Sequence, residues 1–440
     1  MKPKKFKQTG IGMIPEEWEV LRIEELLLPE KGAIKIGPFG SQLKKEFLVK
    51  GGIKVYGQEN IYKSDFELGD RYITKERFEI LKSCELKSGD IIISMMGTIG
   101  FVDVVPLNIK KGIMDSHLLR MRANQNKIDN NFLLYAFRSG VIQNQIDTLS
   151  VGTIMAGLSS SIIKLLIFPL PPMLEQQFIA KILSDLDSKI ELNQQMNKTL
   201  EAIGQAIFKR WFIDFEFPNE KGKPYKSSGG EMVESELGKI PKGWNVKRIK
   251  DCGLVVCGKT PPTKEKENYG EDIFFITIPD MHNKFFVINT ERKLSKKGAD
   301  TQKKKELPPL TVCVSCIATP GLVVLTSEKS QTNQQINSII CNNEISPYFM
   351  YLTMKEKAEE IKSRGLGGTA TLNLNTGDFE NLKIILPEKE VIADFHKLIN
   401  VVFKKLLTTE YQIQNLSQIR DSLLPRLMSG KIRVPVEAKT

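Results

Sequence analysis

The chain has 440 residues, 41% of them hydrophobic, with 32 Gly and 21 Pro; at roughly 150 residues per domain this is more than one ordinary core, and it excludes a disordered or collagen-like chain. Lys and Arg outnumber Asp and Glu by 63 to 52, a formal charge of +11, which points to a polyanionic partner and favours nucleic acid over membrane. No run approaches the ~20 apolar residues of a bilayer span, and no apolar stretch follows the charged residues 1–10, so the expectation is a cytoplasmic protein with no membrane association.

In chain order, residues 1–171 are built of short β-branched and aromatic runs, such as Ile53–Tyr56 and residues 90–94. Gly, Pro and Asn punctuate them, as in a strand-rich globular domain with long loops. After Pro171 and Pro172 a helical periodicity begins, and Pro218 ends it. Residues 172–215 are therefore assigned to a long helix and 216–234 to a linker. Residues 235–389 return to the strand-rich pattern, with runs at 273–278 and 311–315. A second long helix takes 390–430 and leaves 431–440 as a tail.

The second half repeats the first. Gly12, Ile14, Pro15, Trp18 and Arg22 recur as Gly238, Ile240, Pro241, Trp244 and Arg248, 226 residues on (12 to 238). Ser94, Thr98 and Gly100 recur as Ser315, Thr319 and Gly321, 221 on (94 to 315). Gly152, Thr153, Leu158 and Pro171 recur as Gly368, Thr369, Leu374 and Pro387, 216 on (152 to 368). Such ordered self-similarity marks a duplicated architecture.

The two helices share a heptad phase. With position a at Ile179, the a line is Ile179, Leu186, Asn193, Leu200 and Ile207, and the d line is Ile182, Lys189, Met196, Ile203 and Arg210. In the second helix the a line is Phe395, Val402, Thr409, Leu416 and Leu423, and the d line Leu398, Lys405, Gln412, Ile419 and Arg426. Two helices packed on their own domains would also show stripes. A seam of ~40 residues, about 60 Å at 1.5 Å per residue, outruns a small domain's face and favours a coiled coil. Both stripes are polar at mid-length, which suits an antiparallel pair whose central residues set the register. The expected fold is α+β: two strand-rich globular domains joined by two long helices pairing as an antiparallel coiled coil, an internal pseudo-two-fold repeat.

Chemistry-bearing motifs are sparse. No Walker-type or G-x-G-x-x-G loop is present. Cys313 and Cys316 have metal-type spacing, but strand alternation would point their sulfurs to opposite faces, and buried strand cysteines are the better reading. Asp280, Glu291 and Lys293 have the spacing of a metal-dependent nuclease core, a reading kept as an alternative. The matching residues of the first copy lack the lysine. No catalytic residue, metal site or cofactor is otherwise expected.

What remains resembles a binding surface. Lysines gather in loops at Lys44, Lys45, Lys259 and Lys296, suited to phosphate contacts. Amide, hydroxyl and carboxylate side chains recur near glycines: Ser41, Gln58, Asn60 and Thr98 in the first copy, Thr260, Thr277, Asp280 and Thr319 in the second. Such groups can pair with base edges. These twelve residues are the candidate DNA contacts. The candidate helix-pair seam comprises Ile179, Ile182, Leu186, Asn193, Leu200, Ile203, Phe395, Leu398, Val402, Thr409, Leu416 and Ile419.

The chain resembles the specificity subunits of type I restriction-modification systems. The resemblance is carried by Gly12, Ile14, Pro15 and Trp18 with their second copy, by the run Gly37, Pro38, Phe39, Gly40 and Ser41, by Ser88, Gly89, Asp90 and the following isoleucines, and by the prolines leading into both helices. It implies two target recognition domains, each reading one half of a bipartite asymmetric double-stranded DNA target, and two spacer helices that set the gap. It implies no catalysis by this chain, and docking of two methyltransferase subunits that carry S-adenosylmethionine, with restriction and translocase subunits able to join. A bivalent protein-binding scaffold is the other alternative.

Overall fold

The computed structural model describes residues 5–150, 158–365 and 373–434. Gly152, Thr153, Gly368 and Thr369, which the repeat aligns, lie outside them. The chain is α+β: two strand-rich domains share one sheet topology and are joined by two long helices, Met173–Phe208 and Lys389–Met428, that pack together. By contacts it divides into two compact units, Met1–Lys189 with Leu416–Thr440, and Ile190–Asn415.

In the first unit one four-stranded sheet runs in the order Gly112–Met114, Ile53–Tyr56, Tyr72–Ile73, Leu48–Val49, with only the first pair parallel. A second, antiparallel sheet runs Ile34–Ile36, Leu118–Met121, Ile91–Ser94, Val102–Val104. Ile91–Ser94 is buried along its whole length, which explains why its sequence is a continuous β-branched run without alternation.

The second unit repeats the plan. Ser330–Thr332, Ile273–Ile276, Arg292–Leu294 and Tyr269–Gly270 form the first sheet, again with one parallel pair. Gly253–Cys257, Ile336–Cys341, Val312–Ser315 and Val323–Thr326 form the second, extended by Phe286–Val287. Cys313 packs in one hydrophobic cluster while Val314 and Cys316 pack in another. The two sulfurs therefore sit on opposite faces, and burial pushes their thiols up to about 12 and about 11. These are core cysteines that stay protonated.

The helices run antiparallel wherever they touch. In the first unit Arg420 Nη1 donates to Asp187 Oδ1 at 2.8 Å. In the second, Asn193 Nδ2 donates to Gln412 Oε1 at 3.4 Å and Asn197 Nδ2 to Glu410 Oε1 at 3.1 Å, while Gly204 lies against Ile399 and Phe403. Burial pushes the Glu410 carboxyl up from its ordinary value. Asn193 and Asn197 each keep a buried amide oxygen without a partner, so this polar layer costs stability.

The seam differs from the expected one on its second line. Ile179, Asn193, Phe395 and Thr409 are buried, and Leu186, Leu200, Val402 and Leu416 are half-buried. Ile182, Ile203, Leu398 and Ile419, however, are 37%, 43%, 45% and 47% exposed. The second line lies one residue later: Leu183, Ile190, Asn197 and Gly204, and Ile399, Leu406 and Leu427, are buried, with Ile413 and Arg420 half-buried. From an a position, steps of three and of four residues both return to the same helix face. Hydrophobicity alone favoured the wrong step, because the true line includes Asn197, Gly204 and Arg420.

Each unit also closes on a tryptophan. Trp18 is fully buried with Ile14, Leu427, Met428 and Val434, so the end of the second long helix completes the core that begins near the N-terminus. Trp18 Nε1 donates to Glu175 Oε2 at 3.0 Å, and Arg433 grips the same carboxylate through Nε at 2.6 Å and Nη2 at 2.9 Å. Trp244, the matching residue, lies among Phe212, Phe215 and Phe217, the last stacked on it at 5.0 Å. The aromatic ring of Phe217 takes the place that the guanidinium of Arg433 holds 5.9 Å from the Trp18 ring.

Candidate nucleic-acid interface

In the first unit four loops meet at one edge, where both sheets end. Gly37 N–H donates to Leu118 O at 3.0 Å, Asp115 N–H to Tyr56 O at 2.9 Å, and Met95 N–H to His117 O at 2.9 Å. The Gln58 amide donates to the Met96 carbonyl, and Tyr62 Oη to Thr98 O at 3.2 Å. Residues 37–42, 57–62, 95–100 and 115–117 are thereby fastened into one surface. Gly37 is required there, since a Cβ would stand 1.8 Å from Asp115 O.

The second unit builds the same edge from different residues. Gly258 occupies the Gly37 position, with a Cβ excluded by Asn333 O at 2.2 Å. Thr260 Oγ1 donates to Gln334 Oε1 at 2.7 Å, and Cys316 N–H donates to Gln335 O at 2.8 Å. The hairpin loops match residue by residue. Ser94 and Ser315 hydroxyls donate to Thr98 O and Thr319 O at 2.7 and 2.6 Å. Gly97 and Ala318 both have positive φ, 68° and 65°, as do Gly100 and Gly321. Ala318 holds a left-handed conformation that normally selects glycine, so the turn is imposed by its surroundings.

The candidate contacts divide on this geometry. Ser41, Lys44, Lys45, Thr98, Lys259 and Thr319 are exposed, and Gln58 and Thr260 are half-exposed. Ser41, Gln58 and Thr98 come together on the first edge, Thr260 and Thr319 on the second. Lys296 is exposed but stands apart, opening the helix Lys296–Asp300, where its N–H donates to Asp272 Oδ2 at 3.0 Å.

Asn60, Thr277 and Asp280 face inward, contrary to expectation. Asn60 is fully buried; its Oδ1 accepts from Gly57 N–H at 2.9 Å and its Nδ2 donates to Asp65 O and Leu68 O at 2.8 and 2.9 Å. Asp280 is 6% exposed and accepts from Thr277 N–H, Thr277 Oγ1 and Glu291 N–H at 2.9, 2.7 and 2.9 Å. Both close a short helix by reaching back to the residue before it, which is why they recur at matching places. Their polar atoms are spent on partners within the protein.

The nuclease reading falls with them. Asp280 is occupied by its own turn, and Lys293 Nζ donates to Glu271 Oε2 at 3.0 Å. Among the described residues no cluster of three His, Cys, Asp or Glu side chains is placed to hold a metal ion. Asp280→Ala is expected to cost about 1–3 kcal/mol in thermal or urea unfolding, by orphaning buried donors. Asp280→Asn keeps an acceptor and should lose less; equal losses would refute the capping role.

Sequence reasoning missed Phe39, which stands 68% exposed between Gly37 and Gly40, and His117, exposed in the loop 115–117 of the same edge. An aromatic residue flanked by glycines was the available signal for the first.

Comparison with known proteins agrees with this duplicated geometry. A family profile described as "Type I restriction modification DNA specificity domain" matches residues 15–202 and 241–414. The type I restriction enzyme HindI specificity subunit of Haemophilus influenzae is 42% identical over 308 residues, covering 58% of this chain and 67% of the relative. The MjaIX specificity subunit of Methanocaldococcus jannaschii is 30% identical over 455 residues, covering 98% and 96%. The crystal structure of a type I S subunit from M. genitalium shares the fold, with a TM-score of 0.59 at 17% identity over 96% of this chain and 98% of that one. No helix among the described residues is long and apolar enough to cross a membrane. Two copies of one specificity domain, each matched by the profile and each completed by long helices, place the chain in the family of type I restriction-modification DNA specificity subunits.

Proposed function

We propose that this chain is the non-catalytic, sequence-specific DNA-binding subunit of a cytoplasmic type I restriction-modification complex. One observation carries the reading: two edges share a backbone scaffold, set by Gly37 and Gly258 and by matching hairpin turns, yet present different side chains. Identical edges would suit a palindrome; diverged edges suit two unlike half-sites. In this reading residues 1–171 and 235–389 are the target recognition domains. Ser41, Gln58 and Thr98, and Thr260 and Thr319, face DNA, while Lys44, Lys45, Lys259 and Lys296 hold phosphates.

The partners follow from the helices. Ile182 and Ile203 on the first, and Leu398 and Ile419 on the second, are exposed apolar residues in the same heptad line, repeated 216 residues apart (182 to 398). A stripe present twice fits two copies of one partner, here the methyltransferase subunits, which bring S-adenosylmethionine and the chemistry. Restriction subunits can join through that assembly. Ile182→Glu combined with Ile203→Glu should leave unfolding unchanged and weaken methyltransferase co-purification about ten-fold or more. Retained assembly would move the docking face elsewhere.

The deciding experiment is to express the chain with its methyltransferase and map methylated bases genome-wide. A bipartite asymmetric motif is expected. Methylation without one would overturn the proposal.

A further inference from the structure

Phe39 projects from the loop that follows strand Ile34–Ile36, and its backbone is held on both sides. Before it, Gly37 is clamped against Asp115 and Leu118, and Pro38 is buried. After it, Gln42 N–H donates to Phe39 O at 2.7 Å, closing a turn. The Arg77 guanidinium donates to the Gln42 carbonyl and lies 3.8 Å from the centre of the Phe47 ring. A ring on a slack loop can fold back onto the surface; this one is presented by a fixed backbone.

Its neighbours along the loop, Gly40, Ser41, Gln42, Lys44 and Lys45, are exposed, while Leu43 between them packs partly into the core; on the same edge Tyr62 and Met96 are also exposed. An exposed aromatic ring flanked along its loop by hydroxyl, amide and ammonium groups matches DNA, whose bases stack on aromatic faces while phosphates take the flanking donors.

We propose that Phe39 is a wedge that enters a base step of the first half-site and unstacks it. The proposal rests on the DNA-specificity reading above. The second unit has no counterpart: Lys259, Thr260 and Pro261 follow Gly258 where Pro38, Phe39 and Gly40 follow Gly37, and Thr260 is bonded to Gln334. The distortion is therefore one-sided, confined to the half-site read by the N-terminal domain.

The test uses the full chain assembled with its methyltransferase subunits, on the duplex identified by methylation mapping. 2-Aminopurine replaces, one at a time, bases of each half-site other than the methylated ones. With the natural chain, fluorescence should rise at one step of the first half-site. Phe39→Ala should abolish that rise and weaken binding roughly ten-fold, while Phe39→Trp, which still stacks, keeps both. Unfolding midpoint and methyltransferase co-purification serve as folding controls; if Phe39→Ala fails them, Phe39→Ser is used in its place. Unchanged fluorescence and affinity in the folded variant would overturn the wedge. So would loss of an equal signal in the second half-site. Absence of any bipartite motif with the natural chain would instead defeat the specificity reading, so the two failures are distinct.

Discussion

Glu175→Ala is expected to destabilise the first unit by about 3–5 kcal/mol, the loss typical when one partner of a buried ion pair is removed. Glu175 is 1% exposed and receives the Trp18 indole N–H together with two donors of Arg433. Alanine leaves the indole and the guanidinium short of acceptors at a site closed by Leu427, Met428 and Val434. Arg433 is itself 24% exposed, so solvent recovers part of its loss and the lower end of the range is expected. Glu175→Gln retains an acceptor for Trp18 and should cost less, about 1–2 kcal/mol. Urea unfolding followed by tryptophan fluorescence is a direct measurement, since Trp18 reports the first unit and Trp211 and Trp244 the second. An unshifted midpoint in the Trp18 signal would show that the clasp contributes nothing.

Adding seven residues to each long helix, beside Gln195 in the first and Tyr411 in the second, should lengthen the preferred gap between half-sites by about three base pairs. Seven residues preserve the heptad phase and add ~10 Å at 1.5 Å per residue, against ~3.4 Å per base pair. The half-site sequences should stay the same. Methylation mapping reads both outcomes together, and an unchanged gap would end the notion that the helices act as a ruler. The insertion in one helix alone should instead put Asn193 and Asn197 out of step with Gln412 and Glu410 and destabilise the pair.

The duplicated α+β plan was legible because it is written in two kinds of signal that need no tertiary context: β-branched runs such as Ile91–Ser94, and Gly-Ile-Pro-Trp openings repeated in order. The long helices were legible for the same reason, but only half their seam was. Ile203 is more hydrophobic than Gly204, yet Gly204 is the buried one, because a glycine lets Ile399 and Phe403 approach the helix. Hydrophobicity reports what could be buried; close approach decides what is.

The interface was legible as a set of loops and less so as a set of side chains. Asn60 and Asp280 look like base readers in the sequence because amides and carboxylates pair with bases. They are equally the groups that close a short helix, and only the three hydrogen bonds each makes to the protein itself distinguish the roles. Phe39 was overlooked for the opposite reason, since an apolar residue suggests a core until both flanks of its loop are seen to be fixed.

The first unit is assembled from the two ends of the chain, Met1–Lys189 and Leu416–Thr440, whereas the second is a continuous stretch, Ile190–Asn415. During translation the continuous unit has all its residues first, and the N-terminal domain, although synthesised earliest, waits for Leu427, Arg433 and Val434 to leave the ribosome. Until then Trp18 lacks part of its cover and Glu175 lacks its guanidinium. A chain stopped even a few residues short of Arg433 therefore keeps an unfinished first unit, with Trp18 and Glu175 short of the partners that close its core.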